Sequence, residues 1–469
     1  MSKKAKVLLL RLPQNVHDVY DHAGILHPYS LAIISSFLKR EHKDVTLFDA
    51  AIQHVQKEAI LSYIEKMQPD MLGLTLMTQH LPHTIEFLRL VKEILPALTV
   101  VVGGPHATAD HKNLLLQNKE VDVTVIGEGE YSMLALINAY EHNESFQQIK
   151  GIAYREDDGV HINPRQPYIE NLDALPFADW ESLPMDKYAD AITVRKNYGG
   201  IVASRGCPYS CTFCGAKTAL GQKVRRRSPQ NIVEEIQLLY DRYGVRQVLF
   251  HDSTLNIDNA WVNEICEGIL RMNKPIVWGC NVRTEHLSKE TLMLMKRSGC
   301  IRIFVGIESG DNTVLQRMKK GTTVERIQQG LKLIEEVGIP TDYGFILGMP
   351  GETVESMKKS IALAKKLKGI STFALASPFP GTELYEIAKS EGVSVKDWSK
   401  HDIYTLAYVP QGLTRKQLEQ YYRCAVRTTY FRFSFIIYQL SQLRSLLNVK
   451  IVVTAAYRIF FKRFFKFRK

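Results

Sequence analysis

The carboxyl-terminal 49 residues contain no acidic side chain. Residues 421–469 hold eleven Lys and Arg residues and no Asp or Glu, in a chain of 469 residues whose net charge is +11. The first 420 residues therefore carry 49 basic and 49 acidic side chains. The body of the protein is neutral, and the tail holds all of the excess charge.

Long apolar runs are also missing. At the amino terminus, three lysines lead into only four apolar residues, 7–10, before Arg11, which is too short for a signal peptide. In the tail, no run reaches the roughly 18 apolar residues that a membrane span needs. We therefore expect a cytoplasmic protein whose cysteines are reduced and do not form a disulfide framework.

Cysteine is scarce, yet three of the seven cysteines fall within eight residues, CPYSCTFC at 207–214. The other four, Cys266, Cys280, Cys300 and Cys424, are scattered and form no second pair at zinc-site spacing. Three thiolates leave a tetrahedral metal centre one ligand short, which makes a closed structural zinc site the weaker interpretation. An iron-sulfur cluster with one open iron fits the triplet better.

The first 135 residues alternate short β-like runs with amphipathic helical stretches. This pattern predicts a doubly wound α/β domain with a parallel sheet, whose ligands lie beyond the carboxyl ends of the strands. The functional loops should follow Leu10, Met77, Gly104 and Ile126.

A second alternation begins at Ile201, after a proline-rich stretch that lacks the pattern. Six β-α units predict a partial (β/α)6 barrel of the TIM type, with its chemistry at the carboxyl ends of the strands. The predicted regions are a Rossmann-like domain at 1–140, a linker at 141–195, the partial barrel at 196–390, and an α-helical region with the basic aromatic tail at 391–469.

The C-x3-C-x2-C pattern resembles the signature of the radical SAM superfamily, which lies on the loop after the first barrel strand. The resemblance implies that Cys207, Cys211 and Cys214 hold a [4Fe-4S] cluster whose open iron is chelated by S-adenosylmethionine. In this superfamily, reduction of the sulfonium by the cluster releases a 5′-deoxyadenosyl radical.

Further stretches match the superfamily in order and spacing: FHDST at 250–254, NVRTE at 281–285, GCIRIFVGIESGD at 299–311 and GFILGMPGET at 344–353. No GGE triplet follows the cluster loop, and HDS takes its place. The residues that the resemblance assigns to S-adenosylmethionine are Phe213, Asp252, Arg283, Glu308, Gly348, Pro350 and Gly351. For each one the alternative is a salt bridge or turn at the barrel rim.

The first domain resembles that of the cobalamin-binding radical SAM enzymes, because VVGGPHATAD at 101–110 and IGEGEYS at 126–132 match their GG-x-HAT and GEGE loops. The residues that this resemblance assigns to cobalamin are Thr78, Gln79, Gly103, Gly104, His106, Ala107, Thr108, Gly127, Glu128, Gly129 and Glu130. The D-x-H-x-x-G motif of histidine-ligated cobalamin is absent. We therefore expect the benzimidazole off the cobalt and His106 as a hydrogen-bonding residue. The alternative is a sheet that docks on the barrel without a cofactor.

The tail interleaves Phe and Tyr with Lys and Arg. This composition favours an amphipathic surface that binds the inner face of the cell membrane. Plain packing on the barrel and contact with nucleic acid are the alternatives, and nucleic acid is the least favoured.

Together these features predict a cobalamin-dependent radical SAM methyltransferase that acts on an unactivated carbon of a lipid-like or natural-product substrate and takes electrons from a flavodoxin or ferredoxin. One alternative is an oxidative cyclase or rearrangement enzyme with the same cofactors. The other is a non-catalytic cobalamin or metal sensor with a nucleic-acid-binding tail, which predicts zinc or no metal at the three cysteines.

Overall fold

The computed structural model describes residues 4–13, 24–157, 159–190, 194–195, 197–393 and 397–430. Its two main sheets have seven and six strands. The strands of the first sheet are β1 (Lys6–Arg11), β3 (Asp44–Asp49), β4 (Met71–Thr75), β5 (Thr99–Gly103), β6 (Val123–Val125), β7 (Ile152–Glu156) and β8 (Gly159–Ile162). The strand order is β3-β1-β4-β5-β6-β7-β8.

The first five of these strands are parallel, and helices cover both faces of the sheet. The helices of this domain are α1 (Tyr29–Arg40), α2 (Lys57–Met67), α3 (Leu81–Ile94), α4 (Pro105–Gln117) and α5 (Glu130–His142). Alternate residues of β1 enter opposite cores, since Val7 and Leu9 pack in one and Leu8 and Leu10 in the other. A strand buried on both faces reads as a continuous apolar run, which explains KVLLL.

The sequence analysis expected no strands between 141 and 195, but the structure has β7 and β8 there. They pair antiparallel, β7 with β6 and β8 with β7, and extend the first sheet. After Ile162, none of the described residues of this stretch belongs to a main sheet; the short strand β9 (Ala189–Asp190) pairs with β2 (Gly24–Ile25). The first domain therefore reaches about twenty residues beyond its expected boundary at 140.

The second sheet is an open barrel of six parallel strands, as the six β-α units predict. Its strands are β10 (Tyr198–Ile201), β13 (Gln247–Phe250), β14 (Val277–Val282), β15 (Cys300–Glu308), β16 (Thr341–Leu347) and β17 (Ser371–Leu375), in that spatial order. Its helices are α6 (Ala216–Leu220), α7 (Pro229–Tyr243), α8 (Asn259–Arg271), α9 (Lys289–Arg297), α10 (Asn312–Arg317), α11 (Val324–Val337), α12 (Val354–Lys366) and α13 (Glu383–Ser390). Several begin at a Ser or Thr whose side chain accepts from the first turn, such as Ser228, Thr323 and Thr353; such caps satisfy backbone donors that the helix leaves free.

The two faces of the barrel sheet differ in burial. On β15, Ile303, Val305 and Ile307 are at most 1% exposed and belong to the main core, whereas Phe304 between them is 39% exposed. Residues of the neighbouring strands that share its face, such as Ile346 and Ala374, are half-buried. The face away from the helices therefore lines an accessible lumen.

The last described helix, α14 (Arg415–Tyr430), packs against α12 and β17. Leu418, Tyr422, Ala425 and Thr429 are buried along one side of it. The first ten residues of the basic tail therefore pack on the barrel, and the rest of the tail lies outside the described residues. The described helices include no candidate membrane-spanning segment.

Candidate active site

The three clustered cysteines lie on a loop between β11 (Ser204–Arg205) and β12 (Arg225–Arg226), which pair antiparallel. The loop opens at Gly206, whose φ is 97° and where a Cβ would lie 2.1 Å from the Lys223 carbonyl oxygen. Only glycine fits such a backbone. Along the loop, the Cys207 amide donates to Gly221 O (3.0 Å) and the Thr212 amide to Met318 O (2.9 Å). One backbone bond within the loop and one to the barrel therefore fix the path of the cysteine segment.

The thiols differ in exposure: Cys207 is buried, Cys211 is half-buried and Cys214 is exposed. Burial raises the pKa of Cys211, while the nearby charges of Lys320 and Arg283 act in the opposite direction. The Arg283 Nη1 lies 3.9 Å from the Cys211 sulfur. Two cations beside the thiols would stabilise thiolates and the negative charge of a cluster that they hold.

No three His, Cys, Asp or Glu side chains of the described residues come close enough together to hold a single metal ion. In a four-iron cluster each thiolate binds a different iron, so the sulfurs do not have to converge on one point. The three thiols, a loop of fixed path and two adjacent cations fit an iron-sulfur cluster better than a mononuclear zinc site.

Arg283 lies at the centre of the polar groups beside the cysteine loop. Its guanidinium stacks 3.7 Å from the Tyr209 ring centroid, and its Nη2 donates to Glu285 Oε1 at 2.9 Å and to the Lys320 carbonyl oxygen. Tyr209 and Lys320 were missed by the sequence analysis. Tyr209 lies inside the CPYSC segment, which is a signal that could have identified it.

Glu308 ends β15 in a left-handed conformation, with φ of 65°, which is unusual for a residue other than glycine. Its Oε1 accepts from Lys320 Nζ at 2.8 Å. This ion pair places the Glu308 carboxylate at the carboxyl end of the barrel, near the cation that neighbours Cys211.

Asp252 is 1% exposed and bonds to the strand that leads into the cysteine loop. Its two oxygens accept from the Ala203 amide (3.0 Å) and from the Ser204 hydroxyl. Burial raises the pKa of Asp252 to about 6. These contacts support the structural alternative for Asp252.

The turn Gly348–Gly351 is stabilised by hydrogen bonds to Glu352, which the sequence analysis missed. Its Oε2 accepts from the amides of Gly348 and Met349, and burial raises the pKa of Glu352 to about 7. Gly348 and Gly351 have φ of 87° and 76°, so the turn requires glycine at both ends. Pro350 between them is half-buried, and so is Phe213, which packs against the main core.

The predicted cobalamin residues follow the carboxyl ends of β4, β5 and β6. Thr78 and Gln79 form a 3-10 turn, and Gly103 ends β5. Gly104 has φ of 94°, and a Cβ there would lie 2.6 Å from Thr75 Oγ1. The backbone therefore approaches the neighbouring strand more closely than a side chain allows.

The start of α4 connects these loops to one another. His106 Nδ1 lies 3.1 Å from Thr78 Oγ1, and Thr108 Oγ1 accepts from the Gly127 amide at 3.0 Å. Ala107 is fully buried in the core of this domain. Gly129 packs against α1, where a Cβ would lie 2.9 Å from Ile34 Cδ1.

Glu128 and Glu130 bind the barrel. Arg225 Nη1 lies 2.7 Å from Glu128 Oε1, Arg205 Nη1 lies 3.0 Å from the same oxygen, and Arg205 Nη2 lies 2.6 Å from Glu130 Oε1. Because Arg205 and Arg225 belong to the two strands that bracket the cysteine loop, the carboxyl ends of the two sheets face each other. The loops predicted for cobalamin and for the cluster are thus adjacent.

Comparisons with known proteins agree with both halves of this arrangement. Residues 201–364 match the radical SAM superfamily, and residues 19–137 match the B12 binding domain. An uncharacterized methyltransferase of Pyrococcus horikoshii is 29% identical over 92% of this chain and 93% of its own length. The anaerobic magnesium-protoporphyrin IX monomethyl ester cyclase of Rubrivivax gelatinosus is 29% identical over 84% of this chain and 72% of its own length.

The fold is that of a solved structure, the radical S-adenosylmethionine methyltransferase TsrM of Kitasatospora setae with cobalamin and a [4Fe-4S] cluster bound. The TM-score is 0.71 at 18% identity, over 91% of this chain and 89% of that one. The order of the domains, the cysteine loop between them and both sequence matches lead to one assignment: this chain belongs to the cobalamin-binding radical SAM enzymes.

Proposed function

We propose that this enzyme transfers a methyl group to an unactivated carbon of an apolar substrate. The observation that carries the proposal is the set of ion pairs that joins Glu128 and Glu130 to Arg205 and Arg225. It sets the end of the first sheet against the cysteine loop, so that a group held by one domain can react with a substrate beside the other. The methyltransferase of Pyrococcus horikoshii, similar over nearly its whole length, supports the same reaction class.

When bound, the cluster, S-adenosylmethionine and cobalamin supply a primary carbon radical and a transferable methyl group. The chain's own residues hold and separate these groups. Cys207, Cys211 and Cys214 provide the thiolates, and Arg283 and Lys320 offset their charge. The Gly348–Gly351 turn, Phe213 and Glu308 stand at the barrel mouth, where we place S-adenosylmethionine.

Part of the barrel lumen is apolar, and this part supports an apolar substrate. Phe304, Ile346 and Ala374 present carbon surface to it. On the adjacent strand, a Cβ at Gly344 would lie 2.8 Å from the Phe304 ring, so this glycine lets the ring lie against the wall. A wall built this way leaves room for a ligand where a closed barrel would hold packed side chains.

The external electron donor would approach Cys214, the one exposed thiol of the triplet. The following helix, α6, presents the exposed side chain of Lys217. A cluster ligated at this edge would be close to the surface, as transfer from a separate flavodoxin or ferredoxin requires.

Membrane contact remains a proposal about the tail, most of which lies beyond Tyr430. The test is flotation of the full chain with vesicles, at low and high salt. Binding to vesicles with phosphatidylserine but not to neutral ones, lost when the chain stops after Tyr430, would support it, because basic residues gain about 1 kcal/mol each at an anionic surface. Equal recovery of both chains would contradict it.

The reaction itself is tested with enzyme purified anaerobically with cobalamin and supplied with a reductant and S-adenosylmethionine bearing a deuterated methyl group. Candidate lipids, isoprenoids and tetrapyrroles are then screened by mass spectrometry. A product that gains the labelled methyl confirms the proposal. Formation of 5′-deoxyadenosine with a product that has lost hydrogen and gained no label would instead identify the cyclase-type reaction, which the relative in Rubrivivax gelatinosus favours.

A further inference from the structure

A short segment that follows the barrel returns to the first domain. We call residues 397–402 the return segment. It contains a 3-10 turn, Trp398–Lys400, which contacts the turn Thr78–His80 and helix α3. Trp398 packs against the core on one face of the first sheet. The chain thus crosses back to the loops where we place cobalamin.

Two buried histidines flank Trp398. The His106 ring centroid lies 5.5 Å from the Trp398 ring in an edge-on arrangement, and the His401 ring centroid lies 5.1 Å from it. The two histidines are 1% and 4% exposed. Within the described part of the chain, the Nε2 atom of each one has no hydrogen-bond partner. Buried polar atoms without a partner are uncommon and costly, and they call for a ligand.

The other ring nitrogens define what that ligand must offer. His401 Nδ1 lies 3.0 Å from the Asp397 carbonyl oxygen, which can only accept. Nδ1 therefore carries the proton, and because burial lowers the pKa of His401, its Nε2 is an acceptor. Burial, followed by the neighbouring His401, lowers the pKa of His106 to about 4, so this ring is also neutral. If Thr78 donates to its Nδ1, then its Nε2 is a donor.

We propose that the return segment forms a wall of the corrinoid site, where His106 and His401 hydrogen-bond carboxamide side chains of the corrinoid and Trp398 packs against its apolar surface. A primary carboxamide carries both an N–H donor and a carbonyl acceptor, so it can donate to the acceptor nitrogen of His401 and can bond to either tautomer of His106. The proposal rests on the assignment of cobalamin to the first domain, and it extends the site to Trp398 and His401, which neither matched segment contains.

The test uses the full chain purified anaerobically without cobalamin, titrated with hydroxocobalamin and followed by equilibrium dialysis. The variants are His401→Phe, His106→Phe and Trp398→Phe. The matched control is His142→Phe, because His142 Nδ1 also contacts the carbonyl oxygen four residues earlier, at 2.7 Å, but its ring is exposed on α5. Cluster iron, measured on every sample, shows that the barrel is folded.

We expect Kd to rise about three- to tenfold for either of the first two variants, the usual effect of losing one hydrogen bond, and to be unchanged in the control. Trp398→Phe should also remove the part of the tryptophan fluorescence that cobalamin quenches. A Kd within twofold of wild type for both histidine variants, with full iron, would overturn the proposal.

The cobalt(II) electron paramagnetic resonance spectrum separates a second outcome. Nitrogen superhyperfine splitting that disappears in His106→Phe or His401→Phe would place a histidine on cobalt and overturn the proposed role at the periphery. If wild-type protein with full iron fails to bind cobalamin, the cofactor assignment itself is wrong. A failure confined to the variants leaves that assignment intact.

Discussion

The carboxyl ends of the two sheets, which face each other, carry different kinds of group. We call them the barrel mouth and the mouth of the first domain. At the barrel mouth the groups are charged, and Arg283 and Lys320 each bind a carboxylate beside the cysteine loop. Beside the loops predicted for cobalamin lie neutral groups: glycine backbone, Thr78, and His106 and His401, whose Nε2 atoms have no hydrogen-bond partner among the described residues. Its two carboxylates, Glu128 and Glu130, are bound by the barrel. The difference supports our proposal of a charged cluster and a charged sulfonium cofactor on one side, and an amide-rich corrinoid on the other.

The largest effect should come from the thiols. Replacing Cys207, Cys211 and Cys214 with Ala should remove about four irons per chain and abolish cleavage of S-adenosylmethionine, because these are the three thiolates that we propose to hold the cluster. Cobalt content should stay the same, since the first domain holds it with other residues. Metal analysis and assay of 5′-deoxyadenosine measure both. Cys424→Ala, which changes an exposed cysteine of α14, is the control.

Loss of iron and cobalt together would contradict this prediction, because the cluster and cobalamin would then not bind independently. Zinc in place of iron in the wild-type protein would contradict the assignment of an iron-sulfur cluster itself. It would favour the alternative of a non-catalytic sensor.

The ion pairs between the mouths come next. Glu128→Gln should lower the free energy of unfolding by about 3 to 5 kcal/mol, because it leaves the Arg225 charge without its carboxylate in a buried position. Denaturation in urea measures this change. Glu170→Gln breaks the ion pair with Lys223, a residue of the cysteine loop, but both side chains of this pair are well exposed. It should cost less than about 1 kcal/mol.

Similar losses of unfolding free energy in the two variants would show that burial does not strengthen the Glu128–Arg225 ion pair. A normal stability in Glu128→Gln, accompanied by weaker cobalamin binding, would instead support the assignment of this carboxylate to the corrinoid.

The smallest effect concerns Asp252. A carboxyl whose pKa is higher in the folded state stabilises the protein when protonated, and this contribution is lost as pH rises from about 4 through about 6. Asp252→Asn can keep both hydrogen bonds, since the Ser204 hydroxyl can accept as well as donate. The variant should therefore gain roughly 2 to 3 kcal/mol relative to wild type across that window. Urea unfolding at several pH values tests this.

The affinity for S-adenosylmethionine should not change in Asp252→Asn if the residue only joins two strands. A weaker affinity together with an unchanged pH profile would restore the residue to the cofactor site and contradict the structural role.

The sequence predicted the elements that depend on local pattern. The continuous apolar run at 7–10 predicted a strand of a sheet covered on both faces, and the cysteine spacing predicted the cluster loop. The hairpin of β7 and β8 was missed, although Asp157, Asp158 and Gly159 between two β-like runs are typical of a turn. The prolines that follow led to the prediction of a linker instead.

The roles of several side chains could not be predicted, because their partners lie far along the chain. Glu128 meets Arg225, which is 97 residues away, and Asp252 meets Ser204 across 48. Loop motifs alone do not distinguish a carboxylate that faces a ligand from one that pairs with an arginine of another domain.

The packing of Trp398 on His106 also sets an order of events during synthesis. Nearly 300 residues separate the two rings, so a ribosome that adds roughly 5 to 20 residues per second needs about 15 to 60 s to bring the second after the first. The first domain therefore leaves the ribosome with His106 uncovered, and its last surface is closed only when the whole barrel has been made. If the return segment is a wall of the corrinoid site, as we propose, cofactor that binds before that moment meets a site that still lacks this wall.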